Sequence, residues 1–389
     1  MRSKARDRSL CFKGFPDLLL EERLKITIFG LTISSSWGNG HATPYRAILK
    51  ALHRQGHDLT FYEKDVPYYA KHRDFIDCDY CKLILYPDWE SVRNAALACS
   101  ANSDAVICAS FSPDGTRIVD EVLDLARPMK VFYDLDTPVT LASLEKGETV
   151  YLRAGQIPEF DLYLSFTGGG TIDELVSRWG ARMAMPLYGC VDVETHSRVY
   201  VPAQFCCDFS YMGTYAADRQ QKLETLFLEP ARQLVSKKFV LAGSLYPWNW
   251  PRPANVQHFE HVSPGDHPAL YSSSRLTLNI TRNDMARWGF CPSGRFFEAA
   301  ACGTPMVTDW FEGLEHFFDC ERELMIARTT ADVIAAIDLP DSELAIMAAR
   351  ARERTLWEHT GERRAHELIS ALERASTPTS VQRARSEVA

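Results

Sequence analysis

The sequence predicts an α/β protein made of two successive Rossmann-like units, and three observations carry that prediction. From Lys25 onward, short apolar runs alternate with longer amphipathic stretches, the pattern of parallel strands joined by covering helices. The alternation lapses around residues 189–208 and then begins again. The length of 389 residues also exceeds what one hydrophobic core usually fills.

In order, the first unit should hold strands at 25–33, 58–63, 82–86, 104–110, 129–136, 161–166 and 181–188, with helices between most of them. The second should hold strands at 209–214, 237–243, 255–262, 275–280 and 305–309. A long helix is expected from about Asp218 to Ser236, others from His267 and from Gly294, and a final helical stretch reaches about Leu372. The division that follows is an extension at 1–22, a first unit at 23–190, a second at 191–345, helices at 346–374 that cross back over the interface, and a disordered tail at 375–389.

Composition narrows the partners. No apolar run is long enough to cross a bilayer. The opening stretch is broken by Lys13, Pro16 and Asp17, so it offers no secretory core and a cytoplasmic protein is expected. A net charge of −8 gives no global reason to bind duplex nucleic acid or an anionic membrane. Eleven cysteines are spread through the chain and read as reduced. Cys78 and Cys81 have C-x-x-C spacing but lack the second pair of a zinc site, so packing is the expected role. Neither a metal centre nor a cofactor is expected.

The segment RWGFCPSGRFFEAAACGTPMVTDW, 287–310, carries most of the chemistry. Pro292 and Ser293 can start a helix, Gly303 can end it in the left-handed conformation, and Pro305 opens the next strand. The start of such a helix offers free N–H groups and a positive dipole end to an anion such as pyrophosphate. Arg295 adds a fork of donors. Glu298, a turn further on, can accept hydrogen bonds from two ribose hydroxyls, and Ala299–Ala301 let the helix sit close to its sheet. In the first unit GNGHA places Gly38, Gly40 and His41 between the opening strand and its helix. Asp134 and Asp136 stand at the end of a parallel strand, where α/β enzymes put their chemistry. His41 or either Asp could act as a base on an acceptor. The loop TGGGTID, 167–173, lacks the Gly-Lys-Ser/Thr ending of a phosphate-binding P-loop and reads as a cleft lining.

The string FEAAACGTPMVTD resembles the donor-site signature of GT-B glycosyltransferases. Together with YMGTYAADRQ, LAGSLYP and HPALYSSSRLTLNITRNDM it looks like the CgeB (spore maturation protein) family of predicted glycosyltransferases. The likeness spans most of the second unit and, more loosely, SSSWGNGHATPYRAILKALHRQGHDLTFYE, DLDTP and DLYLSFTGGGTIDEL of the first. It implies a GT-B fold and a nucleotide diphosphate sugar held by the second unit, with an unidentified hydroxyl-bearing acceptor on the first. Carried over by position, Glu298 is the ribose ligand. Gly213, Thr214 and Arg219 serve the phosphates, Gly243 and Ser244 line the nucleoside pocket, and Asn279 and Arg282 flank the strand end just before the main signature, with Ser293 and Arg295 at the helix start. Many retaining relatives carry an earlier Glu eight residues before the later one, where this chain has Phe290. Three rivals share these features. They are a catalytically idle nucleotide-sugar-binding protein, a nucleotide-sugar epimerase, and an NAD-dependent oxidoreductase using GNGHAT with Glu63, although Thr43 stands where the third glycine is needed.

Overall fold

A computed structural model describes residues 23–148 and 150–377, and the predicted extension at 1–22 and the tail from 378 lie outside the described residues. Two parallel sheets form in succession. The first comprises β1 Lys25–Gly30, β2 Asp58–Lys64, β3 Lys82–Tyr86, β4 Ala105–Ala109, β5 Met129–Asp134, β6 Leu162–Ser165 and β7 Ala184–Pro186, in the order β3-β2-β1-β4-β5-β6-β7. The second comprises β8 Phe209–Met212, β9 Phe239–Ala242, β10 Val256–Phe259, β11 Thr277–Asn279, β12 Met306–Thr308 and β13 Met325–Ile326, in the order β10-β9-β8-β11-β12-β13.

Period-two alternation sorts the strand side chains between two apolar layers. Ile26 and Ile28 of β1 and Ala105, Ile107 and Ala109 of β4 join one core, whereas Phe29, Val106 and Cys108 join the other. Both faces are covered, so most strand residues are apolar, with polar residues such as Thr27 and Ser210 buried among them. In the second sheet Phe239 and Leu241 face one cluster and Val240 and Ala242 another.

The helix predicted over 218–236 is segmented. A 3-10 turn at Ala217–Arg219 and a helix at Gln220–Leu223 lead into a widened π turn, Glu224–Leu228, before the helix resumes at Glu229–Gln233. Pro230 has no N–H for the ladder there, which accounts for the widening. A helix at Asn283–Trp288 and the two-residue β13 escaped the sequence reading.

The chain crosses between the units twice. The outgoing segment and the return are joined where Val191 N donates to His359 O (3.1 Å) and Gly361 N to Val191 O (2.9 Å). The buried Arg364 guanidinium donates to the carbonyls of Tyr188, Gly189 and Glu358. The helix Asp341–Glu358 packs on the second unit. After it, the helix Gly361–Ser376 lies against Ala42–Arg54 of the first, placing Leu368, Ile369 and Leu372 in that unit's core. Among the described residues no helix is long and apolar enough to cross a membrane.

Candidate nucleotide-binding cleft

In each sheet the strand order turns around its first strand, between β1 and β4 and between β8 and β11. Crevices outside the strands' carboxyl ends at such points are where α/β proteins bind ligands. Here two adjoining cavities of about 230 and 460 Å³ share Gly38, Asn39, Gly40, Thr214, Ser293, Gly294 and Arg295 as lining, so both units contribute to one cleft.

Loop 31–41 is built by buried polar groups. The Glu63 carboxylate accepts hydrogen bonds from the Thr32 hydroxyl (2.6 Å), Ile33 N (2.8 Å), Ser34 N (3.0 Å) and the Ser34 hydroxyl. Asn39 donates to the carbonyls of Thr32 and Ser35 and accepts from His41 N (2.9 Å). Gly38 takes φ +60°, which suits glycine. The loop thereby presents the His41 ring, whose Nε2 lies 2.8 Å from Asp136 Oδ2. The other ring nitrogen, Nδ1, has no partner among the described residues. Both residues line the larger cavity beside Phe111 and Tyr69. Phe111 takes φ +60°, a strained position for an aromatic residue of the kind that clusters at functional sites.

On the opposite wall Ser293 caps the helix Gly294–Ala301, its hydroxyl accepting from Arg295 N (3.3 Å) and Arg295 Nη1 (3.1 Å). Gly303 ends the helix region at φ +71°, as its sequence position predicts. Arg219 is 6% exposed. One of its terminal nitrogens donates to Thr214 O (2.5 Å), while its Nε has no partner among the described residues. Burial and then the neighbouring Arg295 push its pKa below the ordinary arginine value. Two guanidinium groups, neither in an ion pair within 4 Å among the described residues, therefore face one cavity beside a helix start. Glu298 is buried with one oxygen 3.5 Å from His267 Nδ1. Burial works against its charge, but His267, His196 and Arg295 outweigh it and hold the carboxyl down at about 2.

Of the residues expected from sequence, Gly38, Gly40, His41, Asp136, Gly213, Thr214, Arg219, Gly243, Ser244, Arg282, Ser293, Arg295 and Glu298 line the cleft. Two do not. Asp134 is fully buried behind it, accepting from the Tyr163 hydroxyl (2.7 Å), the Thr140 hydroxyl (2.9 Å) and Asp136 N (3.1 Å). Asn279 is paired with Thr308 inside the sheet, and the chain reaches the cavity only at Ile280–Arg282. Arg282 lines the cleft but is already paired with Asp218 (3.3 Å).

Gly243 is explained by packing, since a Cβ there would meet Gly213 O at 2.0 Å. The TGGG loop is no cleft lining. Gly168 N donates to Phe290 O (3.1 Å), and a Cβ on Gly169 would strike the Phe290 ring, so this loop and Phe290 form a contact between the units. Glu63, with four donors already on it, is not available to a dinucleotide ribose. Cys78 and Cys81 lie with sulfurs 3.0 Å apart at the edge of the first core. His196, His267 and Tyr69 went unread, because no spacing in the sequence relates them to Glu298 or His41.

Residues 219–370 match the glycosyl transferase-like family. The second unit therefore contains a glycosyl transferase-like domain. Within it fall Arg219, Arg282, Ser293, Arg295 and Glu298, most of the second unit's wall. No curated protein matches the sequence. Among solved structures the chain is similar to sucrose-phosphate synthase from Thermosynechococcus elongatus at 12% identity, with 90% of this chain and 99% of that one covered and a TM-score of 0.63. It is similar to Anabaena HepE in complex with UDP-glucose at 10% identity, covering 90% and 100%, with a TM-score of 0.64. It is also similar to an alpha-glucosyltransferase in complex with UDP-glucose and DNA, at 11% identity, covering 90% and 100%, with a TM-score of 0.68. The fold is GT-B, with the glycosyl transferase-like domain forming one wall of its cleft.

Proposed function

We propose that this protein is a glycosyltransferase that moves a sugar from a nucleotide diphosphate donor to a hydroxyl-bearing acceptor. The observation that carries the reading is the pair Arg219 and Arg295 at the start of Gly294–Ala301. A buried guanidinium with a free Nε and a like-charged neighbour costs stability unless an anion completes it. A diphosphate bridging the pair would satisfy Arg219 Nε and the free N–H groups of the helix start together. As the glycosidic bond of the donor breaks, the same groups stabilise the charge that develops on the leaving diphosphate, so no metal is needed at the phosphates. Glu298, ionised and facing the smaller cavity, serves as the ribose acceptor. On the other wall His41, oriented by Asp136, takes the proton of the acceptor hydroxyl. The GT-B neighbours with UDP-glucose bound support this class of donor, and the motifs from Tyr211 to Pro305 support a CgeB-like affiliation.

Calorimetric titration with a panel of nucleotide diphosphate sugars tests the reading. The wild-type chain should bind at least one of them. Arg219→Ala should weaken that affinity roughly 10- to 100-fold, the loss expected for a charge-assisted hydrogen bond. Equal affinity in the variant, or no binding to any member of the panel, would overturn the donor site. Measuring transfer alongside donor hydrolysis and epimerisation separates the three activities.

A further inference from the structure

At the Glu298 end of the cleft stand two histidines that the proposed donor contacts do not use. His196 from the connection between the units, His267 from the start of helix His267–Ser273, and Glu298 from the donor helix place one donor atom each within 4.8 Å of one another. His196 is 4% exposed, and neither of its ring nitrogens has a hydrogen-bond partner among the described residues. Two unsatisfied nitrogens on one buried side chain are uncommon in folded proteins.

The orientation of His267 is more specific. Its Nε2 is 3.2 Å from Val262 O, and since a carbonyl only accepts, Nε2 must carry the hydrogen. In a neutral ring that leaves Nδ1 as a bare lone pair. This nitrogen points toward a Glu298 oxygen at 3.5 Å without forming a hydrogen bond. At that distance either a proton on Nδ1 or a metal cation must lie between the two atoms.

We propose that His196, His267 and Glu298 form a binding site for a zinc-class divalent ion. Two imidazoles and one carboxylate are a recurrent ligand set for such ions and a poor one for magnesium or calcium. Ligands about 2.0–2.1 Å from a tetrahedral zinc stand roughly 3.3 Å apart, close to the 3.5 Å between His267 and Glu298. The His267 bond to Val262 O is the backbone-carbonyl support that usually fixes a metal-bound imidazole. Three protein ligands leave a fourth position open, and His267 and Glu298 both line the cavity. The ion lies at the Glu298 end of the cleft, and it ties the connection between the units to the donor helix.

Metal analysis of the purified full-length chain, with Co²⁺ titration of chelator-treated protein followed by visible absorption, tests the site. One equivalent of metal and a tetrahedral Co²⁺ spectrum are expected. His196→Ala should weaken binding by more than the roughly 10- to 100-fold typical of losing an outer partner, while the doubly substituted Cys78→Ser, Cys81→Ser chain keeps it. No stoichiometric ion, or binding that survives His196→Ala, would overturn the proposal and leave a protonated His267 paired with Glu298. Thermal melts establish that each variant folds. Nucleotide titrations with and without Zn²⁺ keep the two conclusions separate, since metal uptake without nucleotide binding would reject only the donor reading, and the converse only the ion.

Discussion

At the scale of single residues, the two first-unit carboxylates that the sequence offered as equals have different surroundings and hence different work. Asp136 reaches the cleft and holds His41, whereas Asp134 sits beneath it with three donors on its carboxylate. Asp136→Asn and His41→Ala should each lower kcat by roughly 10²- to 10⁴-fold, the usual contribution of proton transfer, with donor affinity unchanged. Steady-state kinetics beside donor titration checks this, and full turnover in either variant would remove the dyad from the reaction. Asp134 calls for a different measurement. Burial, the largest influence, raises its carboxyl to about 6 despite the Tyr163 and Thr140 hydroxyls. The folded chain thus holds this proton to higher pH than the unfolded chain does. Stability contributed here falls as pH rises from about 4 to about 6, by about 3 kcal/mol in all. Urea denaturation across that range should reveal the decline in the wild type and a shallower profile in Asp134→Asn. Parallel profiles would show that the carboxyl ionises normally in the folded chain.

At the scale of elements, most strands were legible because a buried parallel strand is a short apolar run between turn signals, and the predicted spans overshoot the observed ones mainly at their ends. Exceptions have local causes. Residues 325–326 are too few to show any period, and Pro230 alters a helix whose apolar pattern continues through it. The helix Gly294–Ala301 was readable to its caps, since Ser293 and Gly303 do what those residue types do at helix ends. The cluster around His196 was not, because its three members are brought together only by the path of the connection between units. Gly361 is a further case of tertiary override. On helix propensity alone, alanine there should stabilise. A Cβ, however, would come 2.4 Å from Ala47 O on the facing helix, so the two helices would have to separate. Gly361→Ala should cost about 1–3 kcal/mol, the range for overpacking. Denaturant unfolding gives the sign, and a more stable variant would refute the close contact.

At the scale of the whole molecule, the two-unit organisation followed from length and from the lapse in periodicity. The meeting of the units across the cleft is visible only in three dimensions. Trp37 of the first unit stacks at 4.0 Å on His72 of its own unit and at 4.0 Å against His261 of the second. Phe290 fills the analogous role deeper in, against Gly169. The return of Gly361–Ser376 onto the first unit adds a temporal dimension. A polypeptide is made from its amino terminus, at about 5–20 residues per second. Leu368, Ile369 and Leu372 therefore arrive roughly 10–40 s after the first unit has otherwise been completed. Through that interval the face of Ala42–Arg54 that they cover stays open to water and to other nascent chains. A chain interrupted before residue 361 would keep it open permanently, so messages cut short there should yield aggregated protein, even with every residue of the cleft already made.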